Sequence, residues 1–113
     1  MTTRAQLPGK LVGELKRYSF NFLSDLKPSE TIVFRQVNAF LWSGTDPNPE
    51  NMISGGPIDA GRAVVDQYIT GGVAGNIYVL RCLVETSLSQ ILEKEGYVAV
   101  SGEEGTGPTP DPP

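Results

Sequence analysis

A chain of 113 residues has room for one hydrophobic core and not for two. Nine basic residues against thirteen acidic, with no Lys/Arg cluster, leave a net charge of −4 and give nucleic acid no electrostatic footprint. There is no histidine, which removes the commonest general base and the commonest zinc and haem ligand, and no apolar run approaches the roughly 20 residues that span a membrane.

Residues 1–13 read as an arm, small and polar and broken by Pro8, Gly9 and Gly13, with Leu11, Val12 and Leu15 able to dock locally. The opening MTTRAQLPGK has no apolar segment behind its basic residues, as a secretory signal needs. Arg4, Leu7, Lys10, Leu11 and Val12 are its candidate partner contacts, either frayed or adding a strand to a neighbour's open edge. The first firm strand covers 15–22, where Tyr18, Phe20 and Phe22 alternate with Arg17, Ser19 and Asn21. Three aromatics on one face bury a large area, so that face points inward. Residues 23–30 connect, with Pro28 and Ser29 turning the chain and Leu26 plugging the core.

The longest strand is expected over 31–42. Val33, Val37, Ala39 and Leu41 alternate there with Ile32, Phe34, Gln36, Asn38, Phe40 and Trp42, so both faces carry apolar residues. A change of face at a bulge near 36–38 accounts for this; the alternative is that another protein covers part of the second face. Trp42 is assigned to the core, because large aromatics are usually mostly buried, with an interface anchor as the other reading. The turn SGTDPNPE follows (43–50). Ile58 marks a short edge piece, and 62–69 reads as a strand with Ala63, Val65, Gln67 and Ile69 on one face.

The stretch 70–84 is the organising one. Gly71, Gly72 and Gly75 allow a sharp corner, and Tyr78, Leu80, Cys82 and Val84 then form one apolar face of a strand over 76–86. A tyrosine just after a corner pins immunoglobulin-like sandwiches by bonding its hydroxyl back to the backbone, and Tyr78 is placed in that role. Cys82 is the only cysteine, a small buried hydrophobe on the same face. The last strand, 90–100, carries Leu92, Val98 and Val100 on one side, while Glu93, Lys94 and Glu95 suit an exposed edge. Residues 101–113 have no large apolar residue and cannot fold alone. Glu103, Glu104, Pro108 and Pro110 are the candidate contacts of this tail, its acids complementary to a basic partner surface.

Chemistry finds little footing. Gly71–Gly75 lead into a strand with no following lysine, unlike a phosphate-binding P-loop. Asp46, Asn48 and Glu50 could offer oxygens to calcium, but the prolines between them mark a surface turn more simply. Glu93 and Glu95 share a solvent face with no cleft for a sugar. No catalytic, cofactor or metal residue is assigned. About seven short strands separated by turns, with no sustained helical period, specify an all-β fold. It is an immunoglobulin/fibronectin-III-like β-sandwich over residues 14–100, with an N-terminal arm (1–13) and a Gly/Pro/acidic C-terminal tail (101–113).

Several pieces in order resemble the small immunoglobulin-like virion proteins of tailed bacteriophages, the fiber-tail adaptor or neck proteins. They are RYSFNF (17–22), Leu26 with Ser29-Glu30-Thr31-Ile32, WSGTDPNP (42–49), Ile53-Ser54-Gly55 with Pro57-Ile58, and ITGGVAGNIYVLRC (69–82) followed by Thr86-Ser87-Leu88-Ser89-Gln90. The resemblance covers roughly residues 15–100. It implies a non-enzymatic structural protein without cofactor, present in several copies in the virion and assembled in the host cytoplasm. Its partners would be its own copies and connector, tail or fiber proteins, with no nucleic acid or membrane. The alternative is a capsid decoration or receptor/carbohydrate-binding module, which predicts exposed Tyr68, Phe34 or Tyr97 gathered in one patch.

Overall fold

Strand β7 (Ile77–Thr86) runs through the middle of the fold with Tyr78, Leu80, Cys82 and Val84 fully enclosed. It does so because every second residue from Tyr78 to Val84 is apolar and the pleat sends them all to one side. The computed structural model describes residues 4–102; Glu103, Glu104, Pro108 and Pro110 lie outside the described residues. The other strands are β1 (Arg4–Gln6), β2 (Lys10–Leu11), β3 (Lys16–Asn21), β4 (Ile32–Ser43), β5 (Ile53–Asp59), β6 (Val64–Ile69) and β8 (Ile91–Ser101). Single 3-10 turns occupy Leu23–Asp25 and Pro49–Met52.

One sheet has β7 between β4 and β8, both antiparallel to it, with β1 and β2 laid parallel along the far side of β8. The second sheet has the order β3-β6-β5. Packed face to face, the two make an all-β, immunoglobulin-like sandwich. Tyr18, Phe20 and Phe22, from β3 and the residue just after it, meet Leu80, Cys82 and Val84 across the core, flanked by Val37, Ala39, Val65, Ile69, Val98 and Val100. Burial pushes the Cys82 thiol up to about 12, so it remains protonated and behaves as a hydrophobe. Gln67 is the polar exception in this core. Its Nε2 donates to the carbonyls of Ser54 (3.2 Å) and Gly55 (3.0 Å), where the register of β5 against β6 breaks and ladder partners are missing.

Five expectations need correcting. The arm, read as frayed or as adding a strand to a neighbour, adds strands to its own chain. Arg4, Ala5 and Gln6 pair with Glu95, Gly96 and Tyr97, and Lys10 and Leu11 pair with Val100 and Ser101. Leu7 lies directly on Gly96, where a Cβ would stand only 2.5 Å from Leu7 Cγ. Lys10 is buried and its Nζ donates to the carbonyls of Leu11 (2.7 Å), Val12 (3.3 Å) and Gly71 (2.8 Å), while Val12 packs against the core. Tyr18 Oη donates to the Pro8 carbonyl at 2.8 Å. The arm stays because it satisfies donors and acceptors on an edge that would otherwise be open. For the same reason β8 is no bare edge strand.

The face of β4 also differs. Its pairing with β7 is unbroken from Phe34 to Leu41, and the register shifts lie at its two ends, between Ile32 and Phe34 and between Leu41 and Ser43. No bulge occurs at 36–38. Val33 is exposed because it is the extra residue of the first shift, and the inward row is Ile32, Arg35, Val37, Ala39 and Leu41. Trp42, assigned to the core, stands outside it and is 55% exposed. With no bulge at 36–38, alternation from the inward Val37, Ala39 and Leu41 leaves Trp42 on the outer side with Phe40. Leu26, expected as a core plug, is only half-buried at the margin.

At the end of the sandwich near Ile32, the Glu30 carboxylate fastens the 27–31 loop to the β7–β8 hairpin. It accepts from Thr86 Oγ1, from the Lys27 amide (2.9 Å) and from Gln90 Nε2 (2.8 Å). The Thr86 bond, then the Lys27 and Gln90 bonds, hold its pKa below the ordinary glutamate value. A depressed folded pKa means the ionised form is preferred by the folded state. The stabilisation is thus present above the unfolded glutamate pKa of about 4.3 and is lost as pH falls through the lower folded value. Glu30→Gln is expected to flatten the acid limb of a stability-versus-pH curve below about pH 4.3, measured by urea melts at several pH values. An unchanged acid limb would assign that limb to other carboxylates.

The contact between Leu7 and Gly96 generates a second prediction. Gly96→Ala should evict the Leu7 side chain, cost about 1–2 kcal/mol and speed amide exchange at Leu7, whose N–H bonds to the Tyr97 carbonyl at 2.9 Å. Leu7→Ala on top of it should cost less than the sum of the single changes.

Candidate functional site

The outer face of the β4–β7–β8 sheet is where the described surface departs most from an ordinary one. Cross-strand register sets its rows: Phe40 beside Val79 beside Tyr97, and Asn38 beside Arg81 beside Glu95. Trp42, on the outward side of β4 with Phe40, stacks edge-on against Tyr97 with ring centroids 5.3 Å apart and planes at 64°. This is a preferred aromatic geometry. The Arg81 guanidinium sits 4.6 Å above the Phe40 ring, and its Nε is 3.1 Å from Glu95 Oε2. Val79 points to this outer side yet is nearly sealed from solvent, because the ring of side chains closes over it. Beside it lies a shallow pocket of about 210 Å³ lined by Gln6, Trp42, Ile77, Tyr97 and Ala99. The arm thus completes the site by supplying its rim through Gln6.

Rigidity comes from the corner behind the patch. Tyr78 Oη accepts from the Val73 amide at 2.9 Å and donates to Asp46 Oδ2 at 2.7 Å. Asn76 Nδ2 donates to the same hydroxyl (3.2 Å) and to the Thr45 carbonyl (2.9 Å). Gly44, at φ 111°, lies so close to Asn76 that a Cβ would fall 1.9 Å from its Oδ1. The loop leaving β4 after Ser43 is therefore clamped to the 70–76 corner. Burial, then the bond to Asp46, raises the Tyr78 pKa. Asp46 is engaged by Tyr78 and by the Asn48 amide (2.9 Å), an Asx turn, which is the surface-turn reading of DPNPE.

The sequence-level candidates distribute unevenly over this geometry. Tyr97 belongs to the patch. Tyr68 lies on β6 in the other sheet, and Phe34 is six residues from Phe40 along β4, about 20 Å away. The gathering of Tyr68, Phe34 and Tyr97 is not found. Leu7, Lys10, Leu11 and Val12 serve their own fold, as described above. Phe40 and Arg81 were missed as site residues. The signal for Phe40 was present, since Phe34, Phe40 and Trp42 share one parity on a strand whose opposite parity already supplied a core face.

No family model matches the chain, and no curated protein matches its sequence. Among solved structures, it is similar to the solution structure of the PKD domain from KIAA 1837 protein, at a TM-score of 0.42 and 16% identity over 96% of each chain.

Tyr78→Phe should leave the core filled but orphan the Val73 amide and Asp46. Expected is a loss of about 1–3 kcal/mol, with faster exchange of the Val73 and Asn48 amides and a change in Trp42 fluorescence. Loss of stability with unmoved Trp42 emission would show that the corner does not hold the patch.

Proposed function

We propose that this chain is a non-enzymatic binding module acting in multiple copies: a structural protein of a tailed-phage virion, a neck or tail adaptor. It links the connector or tail to fibers or neighbouring rings, is assembled in the host cytoplasm and needs no cofactor. The observation that carries the binding part of this reading is the aromatic face, with Trp42 and Phe40 55% and 38% exposed on a sheet whose other side is the core. Single exposed hydrophobes are commonplace, but contiguous ones mark interaction surfaces. Trp, Tyr and Arg are the residue types that dominate interface energetics, and Trp42, Tyr97 and Arg81 sit together on strands that fix their positions. The ordered motifs over residues 15–100, not the face, supply the particle in this proposal.

One rival has a specific observation behind it. Trp42 and Tyr97 flank the shallow pocket beside Gln6, and an aromatic rim of that kind can stack on a sugar ring. The decoration or receptor/carbohydrate reading rests there.

Trp42 is the only tryptophan, so intrinsic fluorescence reports this face alone. In the isolated chain its emission should be open to iodide quenching, and co-sedimentation with purified phage connector or tail assemblies should protect it. Phe40→Ser and Trp42→Ser should each weaken that binding about 30-fold with unchanged circular dichroism. A chain that ignores those assemblies while Trp42 is quenched by saccharides would transfer the function to glycan recognition.

A further inference from the structure

At the opposite end of the sandwich from the aromatic face lies a cleft of about 450 Å³. Its apolar walls include Leu23, Leu26 and Ile32, and three cations line it: Lys27, Arg35 and Arg62. Arg35 is the unusual member. It occupies the inward row of β4 that continues as Val37 and Ala39, so its guanidinium is turned to the core side at the mouth between the sheets. Its Nε is buried with no hydrogen-bond partner. Its Nη2 donates to the Ile32 carbonyl at 3.3 Å and stands 3.8 Å from Asp59 Oδ2. A guanidinium has five donors, and one held largely out of water with so few acceptors is under-satisfied.

The acids of the cleft do not close this account. Glu30 is committed to Thr86, Gln90 and the Lys27 amide. Asp59 accepts from the Gly61 amide at 2.9 Å with one oxygen and reaches Arg35 only distantly with the other. Arg62, on the rim, makes no ion pair among the described residues, and it is set there by a strained turn. Arg62 and Ala63 both adopt left-handed backbone, φ 51° and 64°, after Gly61 at 87°. Two consecutive non-glycine residues in that region are costly, and such outliers collect at functional sites.

We infer that the cleft is a receptor for an acidic, proline-containing segment, and that its occupant is residues 103–113 of a second copy of this chain. The inference rests on the multi-copy part of the proposed function and uses a different surface. The sequence EEGTGPTPDPP carries Glu103, Glu104 and Asp111 with four prolines and no basic residue. Carboxylates would meet Arg35 and Arg62, for which paired guanidinium geometry is well suited, and proline rings would pack on Leu23, Leu26 and Ile32. β8 ends at Ser101, paired with Leu11, at the pole away from the cleft. That is about 33 Å along the strand from Ile91, which lies beside the cleft end. Exit at one pole and reception at the other give a head-to-tail contact, the kind that closes into rings or continues as filaments.

Sedimentation velocity on the full chain tests this. Self-association should weaken about tenfold in Arg62→Ser and in the double change Glu103→Gln, Glu104→Gln, and should weaken further with salt. Arg62 is exposed, so its variant keeps the core intact if Arg35→Gln does not fold. An Arg62→Glu chain and a chain with Glu103→Lys and Glu104→Lys should each fail to associate alone and should associate when mixed. Recovery on mixing supports docking between copies. Wild-type association that is unmoved by these charges but lost in Trp42→Ser overturns the cleft assignment and leaves the aromatic-face reading standing. A chain monomeric in every form overturns the inference, and connector binding then judges the adaptor reading separately.

Discussion

The Tyr78 hydroxyl sits where two excursions of the chain meet: the loop that leaves β4 after Ser43 and the glycine corner that leads into β7. It accepts from Val73 on one and donates to Asp46 on the other. Because its ring is wholly buried, the hydroxyl has no water to turn to, and each of these bonds carries the cost of leaving a buried polar group unpaired. The ring is fixed by core packing and the loops are fixed by the hydroxyl. The outward tryptophan inherits its position from an inward tyrosine.

That dependence explains what sequence reasoning could and could not reach. A period of two with one apolar parity names a buried face without ambiguity, so β3 and β7 were legible residue by residue, down to Tyr18, Phe20, Phe22 and the Tyr78–Val84 row. On β4 both parities are apolar, and periodicity alone cannot say which lies inward. Counting Arg35 would have misled. A charge sharing parity with Val37 and Ala39 looks like evidence against that face being core, yet the face is core and the charge is the exception. A bulge at the start of the strand then turned Val33 outward against the parity of Val37 and Ala39, while unbroken alternation beyond it put Trp42 outside.

The arm failed to read as part of the sheet for another reason. Its strands are two and three residues long, and their stability derives from what they cover, not from their own composition. Gly96 was the available clue. A glycine in the middle of β8 weakens a strand unless another group needs the space, and Leu7 needs it. Lys10 was equally opaque, since nothing local says that a lysine will be buried against three carbonyls.

Two departures from local consistency stand on β4: aromatic residues turned to solvent, and an arginine turned to the core at its other end. A sequence optimised for folding alone would exchange these choices, placing Trp42 inside and a polar residue outside, and an aliphatic residue at 35. Both departures lie on the same strand, whose free edge carries no covering strand in its sheet. β4 can carry them because, as the edge strand of its sheet, it is not flanked on both sides. β7, flanked on both edges by β4 and β8, carries none. Division of labour between a strand that holds the fold and a neighbour that meets partners follows from the position of each in the sheet.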